Sequence, residues 1–352
     1  MMLFRKKGLL VGLDIGSQTI KAGEVRETGK GRVLNKFSTI DIAPGLIEDG
    51  SIKSPEEIAD AIHQLYQAAG IKEPNVAISI GGYSVIVKKI NVQSMSEEQL
   101  QETIHFEAEQ YIPFDISDVN IDFQILGENE QNPNQMSVLL VAAKKEIVND
   151  YINLVQLAGL NPCIIDVDAF ALQNVFEINY DTRDENVALI DIGASKTSLN
   201  ILKEDASVFM RDVSLGCGQI NHRIASIADC SLEEAEELKF GDQAEKISGE
   251  DLSEIISSVV SDWCTEIRRA LDFFYSTYPE EQIKRIVLSG GGAGIKEFRQ
   301  LLAVETSADV QMINPFQNIQ IDENRFDPAF IERIAPQASI CMGLALRKVS
   351  DK

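Results

Sequence analysis

The stretch LVGLDIGSQTIK (residues 10–21) returns in altered form as ALIDIGASKTS (residues 188–198). Each copy is an apolar run, then Asp-Ile-Gly, a small residue and, shortly after, a Thr. Asp14 and Asp191 stand 177 positions apart, one more than half of the 352-residue chain. Solenoid repeats run at about 20–50 residues, so this period excludes a solenoid and points to two related domains in tandem. Chain length alone carries the same expectation of about two domains.

The surroundings of the two copies repeat as well. After Asp14-Ile15-Gly16 come a second apolar stretch (Thr19 to Val25), a turn at Thr28-Gly29-Lys30-Gly31, and a third stretch from Val33 to Ile42. In the other half Val187–Ile192, Lys196–Leu202 and Ser207–Leu215 follow in the same order, with a turn at Lys203-Glu204-Asp205. Short β-rich runs joined by tight turns read as a meander. The first strand of each is nearly continuous apolar, as a strand buried on both faces should be. Helices follow. Ser54-Pro55-Glu56-Glu57 predicts a capping box with Pro at the first helical position, opening a helix that ends at Gly70. A second box, Ser231 to Glu234, opens the helix that carries Glu236 and Lys239. Residues 250–278 form the longest helix candidate, with Ile255, Val259, Trp263, Ile267, Leu271 and Phe274 in its apolar stripe. Strands alternating with helices place the chain in the α/β class. Residues 84–160 have no counterpart of equal length in the second half. A capped helix (Ser96 to Gln110), two strands (Val119–Leu126 and Met136–Ala143) joined by the polar loop Gly127 to Gln135, and a helix (Lys145 to Ala158) read as a small inserted subdomain.

Composition narrows the function. With 32 Lys and Arg against 55 Asp and Glu the net charge is −23, which repels nucleic-acid phosphates and the anionic inner leaflet alike. Nucleic acid is therefore excluded as a partner, and contact with a membrane requires a protein intermediary. No apolar run approaches the roughly 18 residues of a membrane-spanning helix. Arg5, Lys6 and Lys7 precede an apolar run that stops at Asp14, too short for the roughly 7–15 residues of a signal sequence. A cytoplasmic protein is expected. Cys163, Cys217, Cys230, Cys264 and Cys341 are scattered singly with no C-x-x-C pair, so buried reduced thiols are expected rather than a disulfide framework or zinc site. His105 and Glu109 are spaced i, i+4 but lack a third ligand; no nucleophile–His arrangement is present.

The Asp-x-Gly turns carry the chemistry. Gly allows close backbone approach, while Ser and Thr present donors to phosphate oxygens. A carboxylate needs an intervening cation, and Mg²⁺ binds through one or two carboxylates, waters and substrate phosphates. Asp14 and Asp191, one from each domain, can thus share one hydrated Mg²⁺, with Lys21 and Lys196 offsetting phosphate charge. A third element, Ser289-Gly290-Gly291-Gly292-Ala293-Gly294, follows a buried strand and precedes a helix. A dinucleotide fingerprint would need an acidic residue at the end of the next strand, which instead ends at Asn314-Pro315-Phe316. A glycine turn lying flat against base and ribose fits better, and no Gly-x-x-x-x-Gly-Lys P-loop is present.

These two meanders and the Ser-Gly-Gly-Gly turn resemble the phosphate-one, phosphate-two and adenosine motifs of the actin, sugar-kinase and heat-shock ATPase superfamily. More narrowly, LVGLDIGSQTIKAGEV (10–25), ISIGGYSVIVKKI (78–90), FEAEQYIPFD (106–115), DVDAFALQNVF (166–176), EEAEELK (233–239) and VQMINPF (310–316) resemble the PilM family of type IV pilus assembly, related to FtsA. The resemblance implies a duplicated, two-lobed actin-like (ribonuclease H-like) fold. The first lobe would span 1–185, with an FtsA-type strand–helix–strand–strand insertion at about 84–160, and the second 186–352. By position, Asp14, Gly16, Ser17, Gln18, Thr19 and Lys21 resemble the first phosphate loop, and Asp191, Gly193, Ala194, Ser195 and Lys196 the second. The Gly216-Cys217-Gly218 turn departs from a plain Gly-Gly pair, which puts a phosphate contact by Gly218 in doubt. Glu236 and Lys239 resemble the pair that reaches ribose and base, and Gly290, Gly291 and Gly292 the adenosine turn. Asp166 to Ala171 resembles the segment that positions the attacking water. Asp166 and Asp168 both qualify, and Asp168 joins Asp14 and Asp191 in the candidate catalytic set.

What the resemblance implies for function is a cytoplasmic protein that binds ATP and Mg²⁺, hydrolyses ATP slowly, and couples nucleotide state to pilus assembly. It would dock the N-terminal cytoplasmic peptide of the inner-membrane protein PilN on the insertion, which recruits it to the inner face of the inner membrane. Other platform proteins and assembly ATPases, and self-association, are further contacts it allows. The chain ends at Leu346-Arg347-Lys348-Val349-Ser350-Asp351-Lys352 without the amphipathic helix of FtsA-like proteins, so direct membrane insertion is not expected. Two alternatives are a scaffold that holds nucleotide without turning it over and a small-molecule kinase of the same superfamily.

Overall fold

A computed structural model describes residues 9–129, 132–181, 185–203, 206–239 and 246–349. Arg5 to Lys7, Glu204 and Asp205 of one expected turn, part of the 127–135 loop, and the last three residues lie outside the described residues.

The first meander is built from β1 (Val11–Ile15), β2 (Thr19–Thr28) and β3 (Gly31–Asp41). A small hairpin, β4 (Ile47–Glu48) with β5 (Ser51–Ile52), leads to helix α1 (Pro55–Ala69) and strand β6 (Asn75–Ile80). Next come β7 (Val85–Gln93), α2 (Glu97–Glu109), β8 (Val119–Asn129) and β9 (Asn132–Lys144). Helix α3 (Lys145–Leu157), strand β10 (Asn161–Val167) and helix α4 (Asp168–Asn179) close the first half. The second half runs β11 (Asn186–Ile192), β12 (Thr197–Lys203), β13 (Ala206–Val213), α5 (Gly218–Ala228), α6 (Leu232–Lys239) and α7 (Gly249–Thr277). It ends with β14 (Ile283–Ser289), α8 (Lys296–Thr306), β15 (Asp309–Met312), β16 (Ile319–Gln320), α9 (Pro328–Ile334) and α10 (Ser339–Ala345).

The duplication is visible in the sheets. One has the order β10-β6-β1-β2-β3-β16 and the other β13-β12-β11-β14-β15. In each, an antiparallel meander lies on one side of its first strand and parallel strands on the other. Strand β16 is the exception to the symmetry, a segment of the second half that pairs parallel with β3 of the first sheet. Helices α4 and α10 lie between the two sheets, where Ala171, Val175, Phe176, Cys341 and Leu344 share one core with Leu34 and Ala77 of the first sheet and Leu189 and Val287 of the second. Helices α1 and α3 cover the outer face of the first sheet. On the second sheet the outer layer is α5 to α8, with Trp263 buried against Phe298.

Strands β7, β9 and β8 form a separate three-stranded sheet covered by α2, with its own core of Ile90, Leu100, Ile104, Val138 and Leu140. Helix α3, by contrast, buries Tyr151, Leu154 and Val155 in the core of the first sheet. Both hairpin strands run further toward the loop than the side-chain pattern predicts, to Asn129 and from Asn132, because backbone pairing continues through polar residues.

The caps divide. Ser96 and Gln99 form a capping box on α2, and Ser231 and Glu234 exchange the same pair of bonds at α6. At α1 the expected box does not form: Ser54 sits at φ −132°, ψ 78°, with no side-chain bond to the helix, although Pro55 and a left-handed Gly70 bound the helix as the sequence indicates. Pro restricts the residue before it, and this backbone setting is not the usual extended N-cap conformation. Of the cysteines, Cys217, Cys264 and Cys341 are buried, whereas Cys163 and Cys230 are only half-buried, a correction to the uniform burial expected.

Candidate functional site

A cleft of about 850 Å³ opens between the lobes. In parallel sheets ligands gather at the carboxyl ends of the strands, and the three candidate carboxylates sit there. Asp14 is next to last in β1, Asp191 next to last in β11, and Asp168 follows β10 as the first residue of α4, where a helix N-terminus favours negative charge. The meander brings lysine to the first carboxylate. Lys21 faces Asp14 across the β1–β2 register, and its Nζ donates to Asp14 Oδ2 at 3.1 Å. Lys196, from the second turn, reaches across the lobes to Asp168 Oδ2 at 2.5 Å. Ser17 Oγ and Ser195 Oγ meet at 3.1 Å, so the two turns touch directly.

Burial dominates the electrostatics of the three acids. It raises the Asp14 carboxyl above its ordinary value, against the pull of Lys21 and with a further push from Asp168. It pushes Asp191 up to about 6, opposed by the hydrogen bond from Ser289 and reinforced by the neighbouring charges of Asp14 and Asp168. Burial also works against Asp168, but the charge and hydrogen bond of Lys196 hold its carboxyl below the usual value. Both lysines keep their protons: burial disfavours the ammonium of Lys21 and of Lys196, yet Asp14 and Asp168 respectively hold it in place.

At the other end of the cleft α6 presents Glu236 and Lys239. Lys239 Nζ donates to both Glu236 oxygens at 2.7 and 2.6 Å. Asn221 of α5 also donates to Glu236, and Gln18 of the first lobe bonds it from across the cleft. Gly16, Thr19, Gly193, Ala194, Gly290 and Gly291 line the cavity with these residues. Gly290 has φ 84°, and a Cβ there would stand 2.3 Å from the Ile192 carbonyl oxygen, so the turn can lie against the end of β11 only as glycine.

Two expected residues lie off the cavity wall. The Gly218 N–H donates to the Ala194 carbonyl at 2.8 Å, which uses it to brace the second turn rather than to meet a ligand. Gly292 packs against Ile192 instead. Asp166 is also outside, bonded to Arg347 at 2.7 Å, which leaves Asp168 as the cleft residue of that pair.

Sequence reasoning missed the Gly81-Gly82 loop after β6 and Asp212 at the end of β13, which line the same cleft. A Cβ on Gly81 would lie 2.2 Å from Lys196 Nζ and 2.5 Å from Asp168 Oδ2, so glycine is what lets that ion pair form. The adjacent glycines were the available signal. Asp41, Asp49 of the β4–β5 turn, Lys296 and Arg333 also reach the cavity.

The family described as type IV pilus assembly protein PilM matches residues 12–349. This chain belongs to the PilM family. Among solved structures, a PilM-PilN type IV pilus biogenesis complex superposes with a TM-score of 0.85 at 28% identity, covering 97% of this chain and 99% of that one. The ethanolamine utilization protein EutJ of Carboxydothermus hydrogenoformans shares the fold (TM-score 0.58, 13% identity, 96% of this chain and 89% of that one). So does MreB5 of Spiroplasma citri bound to AMPPNP (TM-score 0.50, 13% identity, 96% and 95%). The cell division protein FtsA of Bacillus subtilis is 24% identical over 256 residues. That match takes in 66% of this chain and 57% of the relative, so the chain spans under two thirds of that relative's length. The PilM family and these neighbours establish an actin-like fold with two lobes. Among the described residues, no helix is long and apolar enough to cross a membrane.

Proposed function

We propose that this chain binds ATP as its Mg²⁺ complex in the inter-lobe cleft, hydrolyses it slowly, and docks the N-terminal cytoplasmic segment of a PilN-type inner-membrane protein. The observation that carries the nucleotide reading is the convergence of Asp14, Asp168 and Asp191 with Lys21 and Lys196 in one buried cleft. Asp191 takes a hydrogen bond from Ser289 but, among the described residues, no ion pair, so the site holds more buried carboxylate than its lysines neutralise. Its 850 Å³ lies within the roughly 300–1,000 Å³ of ligand pockets. The site suits a hydrated Mg²⁺ that arrives with phosphates and needs one or two carboxylates.

Asp14 and Asp191 would hold the ion through water, and the ion supplies charge stabilisation on the phosphates. Lys21 and Lys196 offset the remaining negative charge. Backbone donors of the two glycine turns orient the phosphates. Glu236 is fixed by Lys239, Asn221 and Gln18 for a polar contact with a ribose, and Gly291 leaves a flat wall for the base. Asp168 would place the attacking water. A second reading, a scaffold that retains nucleotide intact, draws support from the 2.5 Å Lys196–Asp168 bond, which engages one of the two Asp168 carboxylate oxygens and leaves less of the group to orient that water.

The partner reading rests on the likeness to a PilM–PilN complex and on the separate inserted sheet, whose helix α2 leaves Phe106 73% exposed. Recruitment to the inner face of the membrane would come through that segment. Thermal unfolding with and without Mg·ATP tests the site: at one hundred times Kd a ligand of the native state adds about 2.7 kcal/mol. No rise in Tm at millimolar Mg·ATP would refute nucleotide binding. Phosphate release at saturation separates hydrolysis from retention.

A further inference from the structure

The Gly82 N–H donates to Asp212 Oδ2 at 2.6 Å across a separation of 130 residues. This bond joins the lobes at an unusual place. Gly82 belongs to the loop that leaves β6 of the first lobe, and three residues later that loop becomes β7, first strand of the inserted sheet. Asp212 is half-buried at the end of β13, an edge strand of the second sheet, and β13 lies against β7. The Val85 N–H donates in turn to the Gly82 carbonyl at 3.0 Å, so whatever fixes Gly82 also fixes the start of β7.

The preceding residue connects this loop to the cleft. Gly81 lies flush against the Lys196–Asp168 pair, with no room for a methyl group between them. Lys196 feels the charge of Asp212 as well as that of Asp168. A polyphosphate in the cleft competes with Asp168 for the Lys196 ammonium, since both are anions within reach of one cation. Any movement of Lys196 therefore meets the Gly81 backbone, and the next peptide is already fastened to the second lobe.

We infer that Asp212 is a positioning residue that ties the Gly81–Gly82 loop to the second lobe, so that occupancy of the cleft is transmitted to strand β7 and the inserted sheet. The inference deepens the nucleotide reading and rests on it for the ligand. The physical carrier is the hydrogen bond, not the charge: an asparagine in its place retains an oxygen that accepts from Gly82, and an alanine does not.

Hydrogen exchange over residues 82–93 tests this in the full chain, with Asp212→Ala and Asp212→Asn compared at matched, independently titrated saturation with Mg·ATP. Without nucleotide, Asp212→Ala should exchange at least about fivefold faster than wild type over this segment, and Asp212→Asn should match wild type. With Mg·ATP, wild type and Asp212→Asn should slow by at least about fivefold, the lower end of ordinary coupling between sites, and Asp212→Ala by less than about twofold. Protection that survives in Asp212→Ala, or is lost in Asp212→Asn, overturns the inference. If the titration shows no nucleotide binding, the cleft reading fails, and the nucleotide-free arm still decides whether Asp212 holds the loop. Retained thermal unfolding of both variants, expected for a half-buried edge position, excludes misfolding as the cause.

Discussion

Asp14 and Lys21 are best tested with a substitution that does not strand the lysine. Lys21 is 8% exposed, and removing its partner outright leaves a buried unpaired charge, which costs about 3–5 kcal/mol. Asp14→Asn keeps an acceptor for Lys21 while removing the negative charge a hydrated Mg²⁺ needs. The expected outcome is a folded protein whose ATP affinity, measured by titration calorimetry with and without Mg²⁺, loses its Mg²⁺-dependent part by at least about tenfold. Asp191 gives a pH signature. Its folded pKa of about 6 lies above the ordinary 3.8, so the proton is held more tightly in the folded state. The stability it contributes is present below pH 4 and disappears as pH rises through 6, on the order of 3 kcal/mol in all. Asp191→Asn should therefore melt at nearly the wild-type temperature at pH 4 and above it at pH 7. Equal differences at both values would remove Asp191 from the buried acid cluster.

Among the elements, α10 carries the joint between the lobes. Gly343 lies so close to α4 that a Cβ would stand 1.8 Å from the Ala171 carbonyl oxygen, a backbone atom that no rotamer change can move aside. Gly343→Ala should cost about 1–3 kcal/mol or more by overpacking, read as a drop in Tm. Gly249→Ala is the control: it opens α7 in free space and should be neutral or stabilising by up to about 1 kcal/mol. The same distinction explains what the sequence reveals. The two meanders are legible because a run of buried strand residues ending in Asp-Ile-Gly is a local pattern, and the second copy supports the first. The long α7 is legible from its apolar stripe. The missing cap at Ser54 is not, because the motif names the residues and not the ψ of 78° that defeats it. Nor is the role of Gly81 or Asp212: their partners lie 87 to 130 residues away, and no local pattern records a contact at that distance. The choice between Asp166 and Asp168 also needed the fold, since Arg347, which takes Asp166 away from the cleft, comes from the far end of the chain.

For the whole molecule the governing quantity is the charge of −23. Bringing the lobes together sets Asp14 and Asp168 of one against Asp191 and Asp212 of the other, with Lys21 and Lys196 between them. A closed cleft therefore works against like charge at short range, and the acidic surface works against compaction at long range. Salt acts on these forces in opposite senses. It screens the repulsion, and it also weakens exposed pairs such as Arg223–Asp262 and Lys246–Glu234, which contribute little to begin with. The net excess of acid exceeds what such pairs return, so repulsion dominates. Raising NaCl from 10 to 150 mM shortens the screening length from about 30 to 8 Å and should raise Tm in the absence of nucleotide. The neutralising effect of bound Mg²⁺ and phosphate-facing lysines is local, so the salt response should persist when Mg·ATP is present. A Tm that falls as salt rises would mean that the ion pairs outweigh the repulsion, and the acidic surface would then have no part in opposing closure.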